Sequence, residues 1–239
     1  MLITDEIRSK TTMDFPAPLS AEQCKHFQEL FALAVLRYFE PNLFLKYTKD
    51  DAPDLQCKSS MSGIEVTLAT SEIEAAVSGD HVKYRLTNDE AKKSLLKNKI
   101  EKRGGEIDEY CISYPVKTMS TESESIRNAI VRKNSKLNSY KEKGYKEIGL
   151  FVLYEEPLFP TWTEDKLKQL FEDAKGNPAY DVIYLCSSNV LFTYRYADKE
   201  LKMNSMPRED HEALGAIARM TVDGEININS SVWTTCKEK

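Results

Sequence analysis

The chain has 239 residues, enough to bury a sizeable core as one large domain or two small ones. A hydrophobic share of 41% and an aromatic share of 10% exclude a disordered chain, and no apolar run approaches membrane-spanning length. A net charge of −5 excludes a uniformly basic coat for nucleic acid but leaves room for a local basic cleft.

Residues 1–19 lack periodicity and carry Pro16 and Pro18, so an N-terminal arm is expected. The opening Met1-Leu2-Ile3-Thr4-Asp5-Glu6 does not have the pattern of a signal peptide. Ser20 followed by Gln23 is a capping-box start. From there Phe27, Leu30, Phe31, Ala34, Val35, Tyr38 and Phe39 keep a helical period up to Pro41. Glu29 stands beside that apolar stripe and His26 one turn earlier. Read alone, each is a solvated helix side chain. Asn42 to Thr48 alternates like a strand.

The run PDLQCKSSMSGIEVT, Pro53 to Thr67, then places Asp54 at the start of one strand-like stretch and Glu65 inside the next. Glu65 stands between Ile64 and Val66 and so points to the opposite face from both. The intervening residues are enough to turn the chain and pair the strands antiparallel, which would bring Asp54 beside Glu65. Two carboxylates held together repel and raise one another's pKa unless a cation lies between them. An oxygen pair of this kind suits Mg²⁺ or Mn²⁺.

Pro53-Asp54, a hairpin-length gap and then Glu65-x-x resemble the core motif of the PD-(D/E)XK nucleases, the restriction-endonuclease-like superfamily. The resemblance implies that Asp54 and Glu65 are catalytic, metal-holding acids, with the carbonyl of Val66 as a further ligand. Members often carry another acid on the helix before the Pro-Asp strand, and Glu29 occupies that place. The family pattern ends in Lys, whereas this chain has Thr67.

After the Glu65 strand the family plan runs to a helix and another strand, but this chain first inserts residues 70–118. Within the insertion, Ser71 to Val77 looks helical. Asp89 to Arg103 looks like a second, very basic helix, holding Lys92, Lys93, Lys97, Lys99, Lys102 and Arg103 against Glu90 and Glu101. Gly104-Gly105 ends it, and Glu106 to Val116 alternates as a strand.

Ser120 to Lys143 is expected as one helix, with acids at its start and lysines at its end, as the helix dipole favours. Ile126, Ile130, Leu137 and Tyr140 form its buried stripe. Lys133, Lys136 and Tyr140, three and four residues apart, share one face. Gly144 breaks the helix, and Ile148 to Tyr154 follows as an almost wholly apolar run, the mark of a central strand covered on both faces. A Lys-xx-Lys-xxx-Tyr helix feeding a buried strand resembles divergent members of the superfamily in which this helix supplies the missing motif lysine. The resemblance puts that role on Lys133 or Lys136. By themselves, lysines at this spacing read equally well as a solvated basic face.

Beyond Glu156, Thr163 to Ala174 is expected as a helix, Tyr180 to Cys186 and Val190 to Tyr196 as a strand hairpin, and Arg208 to Met220 as a last helix. The tail with Trp233 shows no partner. There is no GxGxxG, P-loop or HExxH, and the histidines at 26, 81 and 211 have no repeated metal spacing. The five cysteines, Cys24, Cys57, Cys111, Cys186 and Cys236, have no CxxC spacing, which argues against structural zinc or a disulfide framework. The expected setting is reducing and cytoplasmic.

The expected fold class is α/β, with a mixed central sheet flanked by helices. The arm would span 1–19, the restriction-endonuclease-like core 20–156 with its helical insertion at about 70–118, and an α+β extension of the same domain 157–239. The expected activity is Mg²⁺- or Mn²⁺-dependent hydrolysis of phosphodiester bonds in DNA. The basic segments 92–103 and 127–146 would contact phosphates without reading sequence. A homodimer is the assembly allowed for, and no membrane is expected as a partner. The rival is a catalytically inactive relative that binds nucleic acid or a protein, which Thr67 keeps open. A third reading has Asp54 and Glu65 unrelated and the resemblance accidental.

Overall fold

Local sequence starts most of the helices. Ser20 and Gln23 form the reciprocal capping box at the head of α1 (Ala21–Phe39), the Ser20 N–H donating to Gln23 Oε1 at 2.9 Å. Ser71 and Glu74 do the same for α3 (Glu72–Leu86), and the Asp89 side chain caps α4 (Glu90–Lys102). Thr118 and Thr121 cap α5 (Met119–Asn134), and Thr163 caps α7 (Glu164–Asp173). The short α2 (Pro41–Phe44) and α6 (Leu137–Glu142) and the long α8 (Arg208–Val222) complete the helices among the described residues. The computed structural model describes residues 3, 7, 17–107, 112–113, 118–158 and 160–229.

Seven strands form one mixed sheet: β1 (Thr48–Lys49), β2 (Leu55–Cys57), β3 (Ser62–Leu68), β6 (Glu147–Tyr154), β7 (Val182–Ser187), β8 (Val190–Arg195) and β9 (Glu200–Ser205), hydrogen-bonded in that order. β1, β2 and β3 are an antiparallel meander, β3, β6 and β7 are parallel, and β7, β8 and β9 are antiparallel again. β4 (Glu106–Ile107) and β5 (Ile112–Ser113) pair as a separate two-stranded sheet.

The alternation along each central strand decides which helices cover which face. Ile64 and Val66 of β3, with Phe151 and Leu153 of β6, pack under α1 and α8. Ile148, Leu150, Val152 and Tyr154 of β6 face the other way, under α5, α6 and α7, in a second core with Ile126, Ile130, Leu137 and Phe171. Glu65 lies between Ile64 and Val66 and is therefore aimed at the α5–α6 face. The inserted α3 and α4 pack chiefly on one another, tied by Arg103 to Asp80.

Several expectations need correction. Asn42 to Thr48 is not a strand. Pro41 preorganises the first helical position, so the chain makes the single turn α2 and leaves only two residues for β1. The helix expected over Ser120 to Lys143 breaks at Ser135 and Lys136. Asn134 and Ser135 are weak helix formers, the Ser135 hydroxyl donates back to the Arg132 carbonyl at 3.2 Å, and the Lys136 N–H closes a tighter turn onto Lys133 at 3.0 Å.

The helix begun at Ser71 runs twice as far as expected, to Leu86. β9 had no expectation, because its Glu-Leu-Lys-Met-Asn-Ser sequence is polar and exposed at a sheet edge. Ile3 and Ile7, in the expected arm, are buried in the core under α1 and α8. Tyr110, Cys111, Tyr114, Cys236 and Trp233 lie outside the described residues.

Candidate active site

Pro53 has no N–H to give to a ladder, so regular pairing of β2 begins only at Leu55. Leu55 pairs with Ile64, and continuing that register by one residue sets Asp54 opposite Glu65, on the same face of the sheet. The Asp54 carboxylate takes over as ladder acceptor: its Oδ2 receives the Val66 N–H at 2.8 Å. Gln56 steadies the turn by donating to the Asp51 and Pro53 carbonyls at 3.1 and 2.9 Å.

Gly63, on the same face of β3, makes room for the ring of Pro53. A Cβ there would sit 2.2 Å from Pro53 Cγ and 3.4 Å from Tyr145 Cε1. Gly63→Ala must push the Pro53 ring, and Asp54 with it. The expected cost is about 1–3 kcal/mol in chemical denaturation; an unchanged midpoint would show that the Pro53 turn yields freely.

Glu65 is wholly buried, and three donors from the α5–α6 corner meet it. Lys133 Nζ and Lys136 Nζ both lie 2.5 Å from Oε1, and the Tyr140 hydroxyl donates to Oε2. Burial alone would raise this carboxyl, but the charge of Lys133 and the hydrogen bonds from Lys133, Lys136 and Tyr140 hold it below its ordinary value. Burial and the bond to Glu65 push the Tyr140 phenol up, so it stays a donor.

Asp54 is in the opposite condition. It is 4% exposed, and burial followed by the neighbouring Glu65 charge pushes it up to about 6, against the pull of the Val66 N–H. The two acids thus interact as expected, yet of the pair only Glu65 has ammonium groups within ion-pair distance among the described residues.

Glu29 is not the solvated helix acid its position suggests. It is 3% exposed, with Lys49 Nζ 3.1 Å from Oε2 and Lys25 Nζ 3.4 Å from Oε1, and its charge adds to the rise of Asp54. Its partners make it a charge-balanced neighbour of the pair. His26 lies half-buried on the same helix.

Three further residues at the site are not singled out by the sequence. Arg132 donates to the Thr67 hydroxyl at 3.2 Å and the Leu68 carbonyl at 3.4 Å, so a guanidinium lies beside the side chain two residues after Glu65. Tyr180, on the approach to β7, donates to the Lys133 carbonyl at 2.9 Å, and Asn134 donates to the Ala174 carbonyl at 3.2 Å, fixing the end of α5. Arg132 sits next to Lys133 in a basic run, and nothing in spacing separates one from the other.

No protein-family model, curated protein or solved structure matches this chain.

Proposed function

We propose that this protein is a Mg²⁺- or Mn²⁺-dependent hydrolase of phosphodiester bonds in DNA, acting at Asp54, Glu65 and the α5–α6 corner. The observation that carries the reading is the convergence of Lys133 and Lys136 on Glu65 beside a second buried acid, Asp54, whose carboxyl is raised. The order helix, antiparallel meander, helix, parallel strand (α1, β1 to β3, α5, β6) supports a restriction-endonuclease-like core, with α3 to β5 inserted and β7 to α8 extending the sheet. The reading includes the reducing, cytoplasmic setting that the cysteine spacing suggests.

Asp54 and Glu65 offer the hard oxygens these ions take, and the raised Asp54 carboxyl is the condition that a bound cation relieves. Among the described residues no three His, Cys, Asp or Glu side chains gather to hold a metal. The other positions would fall to the Val66 carbonyl, water and substrate phosphate, in keeping with Mg²⁺ sites that use only one or two carboxylates. When bound, the ion supplies an acidified water and stabilises charge on the phosphoryl group.

The protein's own groups do the rest. Lys133, whose ammonium lies 2.5 Å from Glu65 Oε1, would offset the negative charge that develops on the phosphoryl group. Tyr140 fixes the orientation of Glu65. Arg132 adds positive charge above Thr67. Exposed lysines of α4 and of 141–146 contact the DNA backbone without selecting sequence.

A specific observation favours one alternative, an inactive relative that binds nucleic acid: both oxygens of Glu65 are already engaged. Incubation of supercoiled plasmid and of single-stranded DNA with Mg²⁺ or Mn²⁺ separates the two. Nicking that a chelator abolishes is expected; DNA binding without cleavage under either ion would transfer the reading to the inactive relative.

A further inference from the structure

Counted formally, the two carboxylates Asp54 and Glu65 match the two ammonium groups Lys133 and Lys136 without any metal, both ammonium groups lying on Glu65. A divalent ion added to that arrangement leaves an excess of two positive charges in a buried setting where charges are weakly screened. One ammonium therefore has reason to leave. The two lysines are not equivalent in their freedom to do so.

The Lys133 side chain is 17% exposed, and its backbone carbonyl is anchored by the Tyr180 hydroxyl at 2.9 Å. The Lys136 side chain is 47% exposed and springs from the break between α5 and α6, where no side chain caps the following helix. Both meet the same atom, Glu65 Oε1, at 2.5 Å, so withdrawal of Lys136 frees a coordination position without stripping Glu65 of its partners.

We infer that Lys136 is a displaceable counter-ion, which occupies the cation position at Glu65 until a divalent ion arrives and then swings outward to contact a phosphate of the DNA, while Lys133 stays in place. This deepens, and rests on, the hydrolase reading. It assigns different work to two lysines that sequence treats alike: Lys133 remains with the reacting centre, and Lys136 couples ion entry to substrate contact. A flexible ammonium stem suits such a swing better than a rigid guanidinium fork.

Calorimetric titration of Mn²⁺ into the full-length wild type, Lys136→Met and Lys136→Gln tests it, with thermal melts confirming that each variant is folded. Removing the competing charge should tighten Mn²⁺ binding at least about tenfold in both variants, and a crystal soaked in Mn²⁺ should show Lys136 withdrawn from Glu65 with Lys133 retained. Mn²⁺ binding by wild type with no gain in the variants, or a soaked crystal with Lys136 still on Glu65, overturns the inference and leaves the hydrolase reading standing. No Mn²⁺ binding by the wild type or either variant overturns both. Binding by the variants alone supports the inference in its strongest form, with Lys136 blocking the site outright.

Discussion

Asp54→Asn and Glu65→Gln should both lower metal-dependent cleavage at least about 100-fold, yet move stability in opposite directions. In the metal-free protein Asp54 is pushed up to about 6 from an ordinary 3.8, so its charged form is the unfavourable one in the fold. For a raised carboxyl the linked stability is full below the ordinary value and is lost as pH climbs through about 6. An amide cannot ionise and avoids that loss. Asp54→Asn in a chelator should therefore gain on the order of 2–3 kcal/mol at pH 8, several degrees in Tm, and almost nothing near pH 4.

Glu65 behaves inversely. Its carboxyl is held low by the lysines, so its contribution is present above the ordinary carboxylate value and fades as pH falls through its depressed one. Glu65→Gln leaves Lys133 and the Tyr140 hydroxyl facing an uncharged amide and should cost about 2–3 kcal/mol at pH 8. That lies below the usual cost of a broken buried pair, because the ammonium groups keep some water. Melting curves in a chelator at pH 4, 6 and 8 read both effects. A loss of stability in Asp54→Asn at pH 8 would mean that the acid is better satisfied in the fold than burial and Glu65 allow.

Replacing Lys92, Lys93, Lys97, Lys99 and Lys102 together by Gln should weaken duplex binding about equally for unrelated sequences and flatten its salt dependence. Three of these lysines form ion pairs along their own helix, to Asp89, Glu90 and Glu101 at 3.8, 3.3 and 3.9 Å. Exposed pairs at such spacing are worth little and give way readily to phosphate. Every phosphate that is no longer neutralised should reduce the slope of log K against log salt by roughly 0.9, so the full set removes at most about 4.5. Gln keeps the helix propensity, and Arg103 is left in place because it ties α4 to Asp80 on α3. A slope equal to wild type, measured by fluorescence anisotropy between low and physiological salt, would remove α4 from the DNA interface.

Where the governing physics is local, the residues alone were enough. The capping box at Ser20, the acid-to-base polarity of the segment after Thr118, the fully apolar β6 and the alternation around Glu65 each depend on neighbours within a few residues. Each is found where that logic puts it. The placement of Asp54 across from Glu65, one residue beyond the paired Leu55 and Ile64, was legible for the same reason, as a hairpin-length gap leaves few registers.

What those acids meet depends on packing between distant parts of the chain. Lys133 and Lys136 share one oxygen, Arg132 stands over Thr67, and Glu29 is buried between two lysines. Each of these arrangements joins residues far apart in sequence or follows from the break at Ser135. Helical spacing places side chains on a face but says nothing of which strand that face covers. The difference between the lowered Glu65 and the raised Asp54 has the same origin. Burial and cation distance are properties of the packed sheet and helices, and two carboxylates that look alike in sequence acquire opposite charge preferences from them.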